Sequence, residues 1–200
     1  HSVTGPYDPN SIWFSAVAGN SSAVLREDQF FRLVTALCLH SEFSHLAGNV
    51  LIGGFLLKFY LQISGTGICL LSVLGASAAG NYINVLVHGP GHISIGFSTA
   101  VFAMIGLLSA HQIIEHKRGF GIRMLVPFMA GAGLLAMLGS SGVRTDLGAH
   151  LFGLVGGLVL GIIFGLLPTD RLKTSSFVQT GCLLMTIFVV LACWNTALAL

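Results

Sequence analysis

Charge is scarce in this chain. Asp, Glu, Lys and Arg together make up 8% of its 200 residues, against about 25% in a soluble domain. So few charges cannot clothe a folded surface in polar groups, which excludes water as the main solvent and leaves lipid. No basic run occurs and the formal net charge is only +2, so a nucleic-acid partner is not expected. No CxxC pair is present. Cys38, Cys69, Cys182 and Cys193 stand in apolar surroundings and read as small buried hydrophobes. No HExxH is present, so a zinc-protease helix is unsupported. No internal repeat is found, which weakens a transporter reading built on inverted halves. The start carries no secretory signal pattern. The first residue is His1 rather than Met, so a trimmed form with upstream sequence is expected.

What the chain has in quantity is apolar sequence. Hydrophobic residues make up 54% of it and the mean hydropathy is +0.87. Six stretches are long enough to span a bilayer, which takes about 20 residues. They run over about 43–61, 68–87, 96–114, 122–138, 148–167 and 177–198. Pro127 lies inside the fourth, which a membrane helix tolerates where neighbours satisfy the freed carbonyl. Residues 1–42 read instead as a structured loop half immersed at the interface. Trp13 and Phe14 suit that depth, and Gly5, Pro6, Asp8, Pro9 and Asn10 read as turns.

Alternation sets the topology. The loops near 62–67, 115–121 and 168–175 lie on one face. That face holds Lys58, Lys117, Arg118, Arg123, Arg171 and Lys173, whereas the other holds Arg26, Arg32 and Arg144. The basic excess makes the first face cytoplasmic. Residues 1–42 and the C-terminus are then external.

Polar groups cluster at three span starts on the external side. His45 and Asn49 open the first span, Ser98 the third and His150 the fifth. Odd-numbered spans enter from the same face, so all four residues lie at similar depth. A serine hydroxyl becomes a nucleophile when a base takes its proton, and a neutral imidazole does so near pH 7. Ser98 with His150 supplies that pair. Gly153, Gly157 and Gly161 follow His150 on the same helix face at about 100° per residue. Such spacing lets two backbones pack closely. Asn49 and the Ser98 backbone N–H are donors for a developing oxyanion. His45 shares the face of Asn49 one turn earlier, and Gly96 permits the turn before Ser98. His88 and His92 flank Pro90 in a polar loop, where metal binding is the weaker reading. Asp146 stands four residues before His150, but a dyad without a third acid is the simpler arrangement. The loop 88–95 and the span 122–138 are read as a gate for water.

At these residues the chain resembles the rhomboid family of intramembrane serine proteases. The likeness rests on Gly96-Phe97-Ser98-Thr99 as GxSx, on His45-x-x-x-Asn49 as HxxxN, and on Gly148-Ala149-His150-Leu151-Phe152-Gly153 as the AHxxG-type helix. It covers about residues 26–167. It implies an all-α polytopic, rhomboid-like helical bundle in a single domain, with an external loop over 1–42, catalytic helices over 43–167, and a linker and extra C-terminal helix over 168–200. It also implies a seventh span upstream, with a cytoplasmic N-terminus. The implied chemistry is a Ser98–His150 dyad with His45, Asn49 and the Ser98 amide as oxyanion hole, and Gly96, Phe102, Gly153 and Gly157 in support. The family's first-loop Trp-Arg stands here as Phe31-Arg32, and Phe102 replaces a common Tyr that would pack on His150. Cleavage of membrane-anchored substrates, no cofactor, no metal and a bacterial inner membrane with an external active site are the further expectations. The rival readings are a proteolytically silent client-binding relative, which typically lacks Ser or His, and a small transporter.

Overall fold

The computed structural model describes residues 11–115 and 146–200. Among them five helices are long and apolar enough to cross a membrane. These are α4 (Phe43–Ser64), α5 (Thr66–His88), α6 (Ser98–Glu115), α7 (Leu147–Gly165) and α9 (Ser176–Ala199). The chain is thus an integral, multi-pass membrane protein, with the outer faces of α4, α7 and α9 carrying exposed Phe, Leu, Ile and Val side chains. The expected span at 122–138 lies outside the described residues.

Helix ends follow local chemistry. Gly65, at φ +79°, ends α4 and begins α5 at once. That junction is held from a distance. The Gln179 side-chain oxygen accepts from Gly67 N at 2.7 Å and Ile68 N at 3.3 Å, and its amide nitrogen donates to Ser64 O at 2.9 Å. One residue of α9 thereby satisfies three backbone groups that a membrane would leave unpaired. The third span starts at Ser98 rather than Gly96, because Gly96 sits at φ +120°, outside helical space.

Helix α6 is the buried axis of the bundle, and α7 runs beside it in parallel. A methyl group built on Gly153 would overlap the Thr99 carbonyl, one on Gly157 the Ala103 carbonyl, one on Gly161 Leu107 and Ala110, and one on Gly165 Ile114. Each step along α7 matches a similar step along α6, so the two helices begin at the same end of the bundle. On its other side α7 meets α5 antiparallel. A Cβ on Gly80 would come within 2.8 Å of Gly153, and one on Gly156 within 2.9 Å of Ala76 O. Helix α7 is therefore flanked by backbone on two sides, which small residues alone permit.

Residues 11–42 form three short helices, α1 (Ile12–Val17), α2 (Ser21–Arg26) and α3 (Arg32–Thr35), and a 3₁₀ turn at Ala36–Cys38. Buried Arg32 organises them. Its Nη1 donates to the carbonyls of Ser15 (2.8 Å) and Ala18 (3.0 Å), its Nε donates to Gln29 Oε1 (2.6 Å), and its guanidinium lies 5.4 Å from the Phe31 ring centre. The strand β1 (Gly19–Asn20) pairs antiparallel with β2 (Ile93–Ser94), a pairing too short to announce itself in sequence. Around it Gly91 N donates to Ser22 Oγ, His92 N to Ser21 Oγ, and Gly96 N to Ala36 O. The loop 88–95 is thus stitched to the N-terminal segment along its length. The short helix α8 (Thr169–Thr174) joins α7 to α9.

Candidate active site

The parallel register of α6 and α7 places Ser98 at the first turn of one helix and His150 at the first turn of the other. Both side chains are buried, at 6% and 4% exposure. The Phe102 ring, one turn beyond Ser98, stacks on the His150 imidazole with ring centres 4.5 Å apart and planes 20° apart. That contact fixes the height of the imidazole against α6. His150 Nδ1 is buried and has no hydrogen-bond partner among the described residues.

The start of α4 contributes His45 and Asn49. A Cβ built on Gly96 would lie 3.1 Å from His45 Nε2 and 3.4 Å from Ser98 Oγ. Gly96 therefore keeps open a space about one atom wide between an imidazole nitrogen and the serine hydroxyl. Any side chain there would fill it, and would also be strained at φ +120°. Asn49 is 8% exposed, and its amide nitrogen is a buried donor without a partner among the described residues. A buried donor left unpaired costs about 1–3 kcal/mol, so this amide is a group available to a ligand. Ser41 Oγ lies 3.2 Å from His45 Nδ1 and steadies that ring.

His40 lies beside the site and holds the turn before Ser98 by a hydrogen bond. Phe97 N donates to His40 Nε2 at 3.4 Å, and the His40 ring meets His45 edge-on at 5.1 Å. Burial, reinforced by the His45 ring, pushes the His40 imidazole from 6.5 down to about 4. The unfolded chain then binds the extra proton between those two values while the folded one does not. Stability contributed at His40 is complete above pH 6.5 and is lost as pH falls towards 4. Protonation also removes the acceptor that holds Phe97 N. We expect the thermal midpoint to drop with acidification across this window, and His40→Gln to flatten the dependence. A slope unchanged by that substitution would assign the acid sensitivity elsewhere.

The Asp146 carboxylate makes its hydrogen bonds to groups other than the His150 ring. Its Oδ1 accepts from Ala149 N at 3.0 Å as the N-cap of α7, and its Oδ2 meets His92 Nε2 and Asn84 Nδ2, each at 2.8 Å. Burial works to raise this carboxyl, but the Ala149 amide, His92 and Ser94 outweigh it and hold it below its ordinary value. His88, His92 and Asp146 bring ligand-type atoms within 4.8 Å of one another, a grouping the sequence reading kept apart.

Comparison with known proteins agrees with this architecture. The Rhomboid domain family matches residues 27–167. The chain is 26% identical over 157 residues to the Bacillus subtilis (strain 168) protein named "Putative rhomboid protease YdcA", covering 76% of this chain and 75% of that one. It is 27% identical to Rhomboid-like protease 3 of Toxoplasma gondii, over 92% of this chain and 71% of the relative. It is 28% identical to rhomboid protease GluP of Bacillus subtilis (strain 168), over 78% of this chain but only 30% of that longer protein. The matched segment runs from the first loop through α7 and takes in His45, Asn49, Ser98 and His150, so the chain belongs to the rhomboid family.

Proposed function

We propose that this protein is a serine endopeptidase that cuts transmembrane or membrane-anchored proteins near the external face of a bacterial inner membrane. The observation that carries the reading is the parallel register of α6 and α7. It sets a buried hydroxyl and a buried imidazole at the same helix end, with Phe102 packed between turns. A buried histidine and serine at matched depth in a membrane are costly to keep without use.

The chemistry follows from these groups. Ser98 Oγ attacks the scissile carbonyl carbon while the His150 imidazole takes its proton. The carbonyl oxygen becomes an anion, for which Asn49, His45 and the Ser98 backbone N–H are the proposed donors. His150 returns its proton to the departing amine as the C–N bond breaks. Water, deprotonated by the same imidazole, then hydrolyses the acyl-serine and restores the hydroxyl. Desolvation strengthens each of these hydrogen bonds relative to water.

A fluorophosphonate probe tests this directly. It should label the folded wild type at Ser98 and leave a denatured sample unlabelled. Labelling at another residue, or none, would overturn the nucleophile. Asn49→Ala should retain the fold and lower kcat by about 10²-fold, the usual cost of one oxyanion donor. A fall confined to KM would instead make Asn49 a substrate-binding group.

A further inference from the structure

On the same side of the bundle as Ser98, but facing the other flank of α7, three elements converge on a second polar cluster. His88 is the last residue of α5, His92 precedes β2, and Asp146 caps α7. We propose that His88, His92 and Asp146, with the side-chain oxygen of Asn84, bind a divalent transition-metal cation of the zinc type.

Four observations carry this. First, the donor set is two imidazoles and a carboxylate on three separate elements, with one ligand atom of each lying within 4.8 Å of the others. That is a nitrogen-and-oxygen set suited to zinc and its neighbours rather than to magnesium or calcium. Second, His88 is already held in a ligand's tautomer. Its Nδ1 lies 3.0 Å from the Asn84 backbone carbonyl, which can only accept, so Nδ1 carries the hydrogen and Nε2 presents a lone pair. Metal-bound histidines are oriented in this way by a bond from their second nitrogen. Third, Asn84 is wholly buried at 0% exposure, and its Oδ1 has no partner among the described residues. A side chain at Gly148 would collide with that oxygen and with the His88 ring, and would lie 3.3 Å from Asp146 Oδ1. The space over Gly148 is therefore bordered by the orphan oxygen, an imidazole and a carboxylate. A cation would give that oxygen a partner. Fourth, the scaffold around His92 is fixed. His92 N donates to Ser21 Oγ at 2.9 Å and its carbonyl accepts from Ser21 N at 3.0 Å.

The cluster is also bonded internally. His92 Nε2 and Asp146 Oδ2 share a hydrogen bond at 2.8 Å, and the two imidazoles stack with centres 4.1 Å apart and planes 14° apart. Binding replaces the hydrogen of that bond by the cation and tilts the rings so that their lone pairs meet. His88 is exposed and has room to turn. The loaded site would staple the end of α5 and the loop 89–92 to the cap of α7.

The site is separate from the proposed dyad, and Ser98→Ala should bind the metal as the wild type does. The test is titration of the full chain in detergent micelles with Zn²⁺ against a chromophoric chelator, with thermal unfolding in parallel. One equivalent should bind the wild type and raise its unfolding midpoint. His88→Ala should fold normally, because the ring it removes is exposed, and should lose at least about tenfold in affinity along with the midpoint shift. Asp146→Asn keeps a capping oxygen for α7 and should lose affinity likewise, whereas His111→Ala should change nothing. Failure of the folded wild type to bind Zn²⁺, or undiminished binding by His88→Ala and Asp146→Asn, would overturn the site.

Discussion

Replacing Ser98 by alanine is expected to stop peptide-bond cleavage while leaving the bundle folded. The substitution deletes a single oxygen. Helix α6 is held to α7 through Thr99, Ala103 and Leu107 rather than through residue 98. The loss should be on the order of 10⁴-fold or more in kcat, because no other group can form the acyl intermediate and binding alone leaves only a remnant of the rate. Cleavage of a single-span reporter protein in liposomes measures it. His150→Ala should fall as far, and the double variant should fall no further, since the two act as one unit. His150→Ala also removes the ring stacked on Phe102, so its unfolding must be followed beside its rate. Turnover by Ser98→Ala within tenfold of wild type would end the nucleophile assignment.

The second large effect concerns stability. Gly157→Ala should destabilise the protein by about 2–3 kcal/mol, since overpacking typically costs 1–3. Its added methyl would overlap the Ala103 carbonyl, and a helix backbone cannot move aside as a side-chain tip can. The two helices must separate, and the hydroxyl and imidazole at their ends would separate with them. Turnover should therefore collapse even where folded protein survives. Gly54→Ala is the matched control. Its methyl would meet nothing within 4 Å, so relief of glycine's backbone entropy should leave stability unchanged or raise it by up to about 1 kcal/mol. Unfolding in mixed micelles distinguishes the pair. Equal outcomes for the two substitutions would mean that the close α6–α7 approach does not hold the bundle together.

The sequence made the long helices legible because each is an apolar run with at most one charged residue, Lys58 in α4 and Glu115 at the end of α6. The first, second, third, fifth and sixth stretches correspond to α4, α5, α6, α7 and α9 within a few residues. Glycine spacing after His150 likewise pointed to a face made for close packing. What remained hidden depends on partners distant along the chain. Asn84 and His92 reach Asp146 across 62 and 54 residues, and Gln179 reaches Gly67 across 112. Arg32 draws its carbonyls from 17 and 14 residues upstream. No periodicity encodes such bonds, because each joins single residues rather than faces. Asp146 illustrates the point. Spacing alone put it one turn from His150, whereas its carboxylate turns to the opposite flank.

The glycine contacts between α6 and α7 have a bearing on how this protein meets bilayers of different thickness. Backbone against backbone offers no rotamers to readjust, and sliding one rod along the other would need whole-residue steps of about 1.5 Å. Mismatch with the lipid is therefore not absorbed at this pair. It falls on α4 and α9, few of whose residues are buried and which can lean at modest cost. A cell could stiffen, thin or thicken its envelope and retune the periphery of this molecule while the reacting atoms kept their spacing.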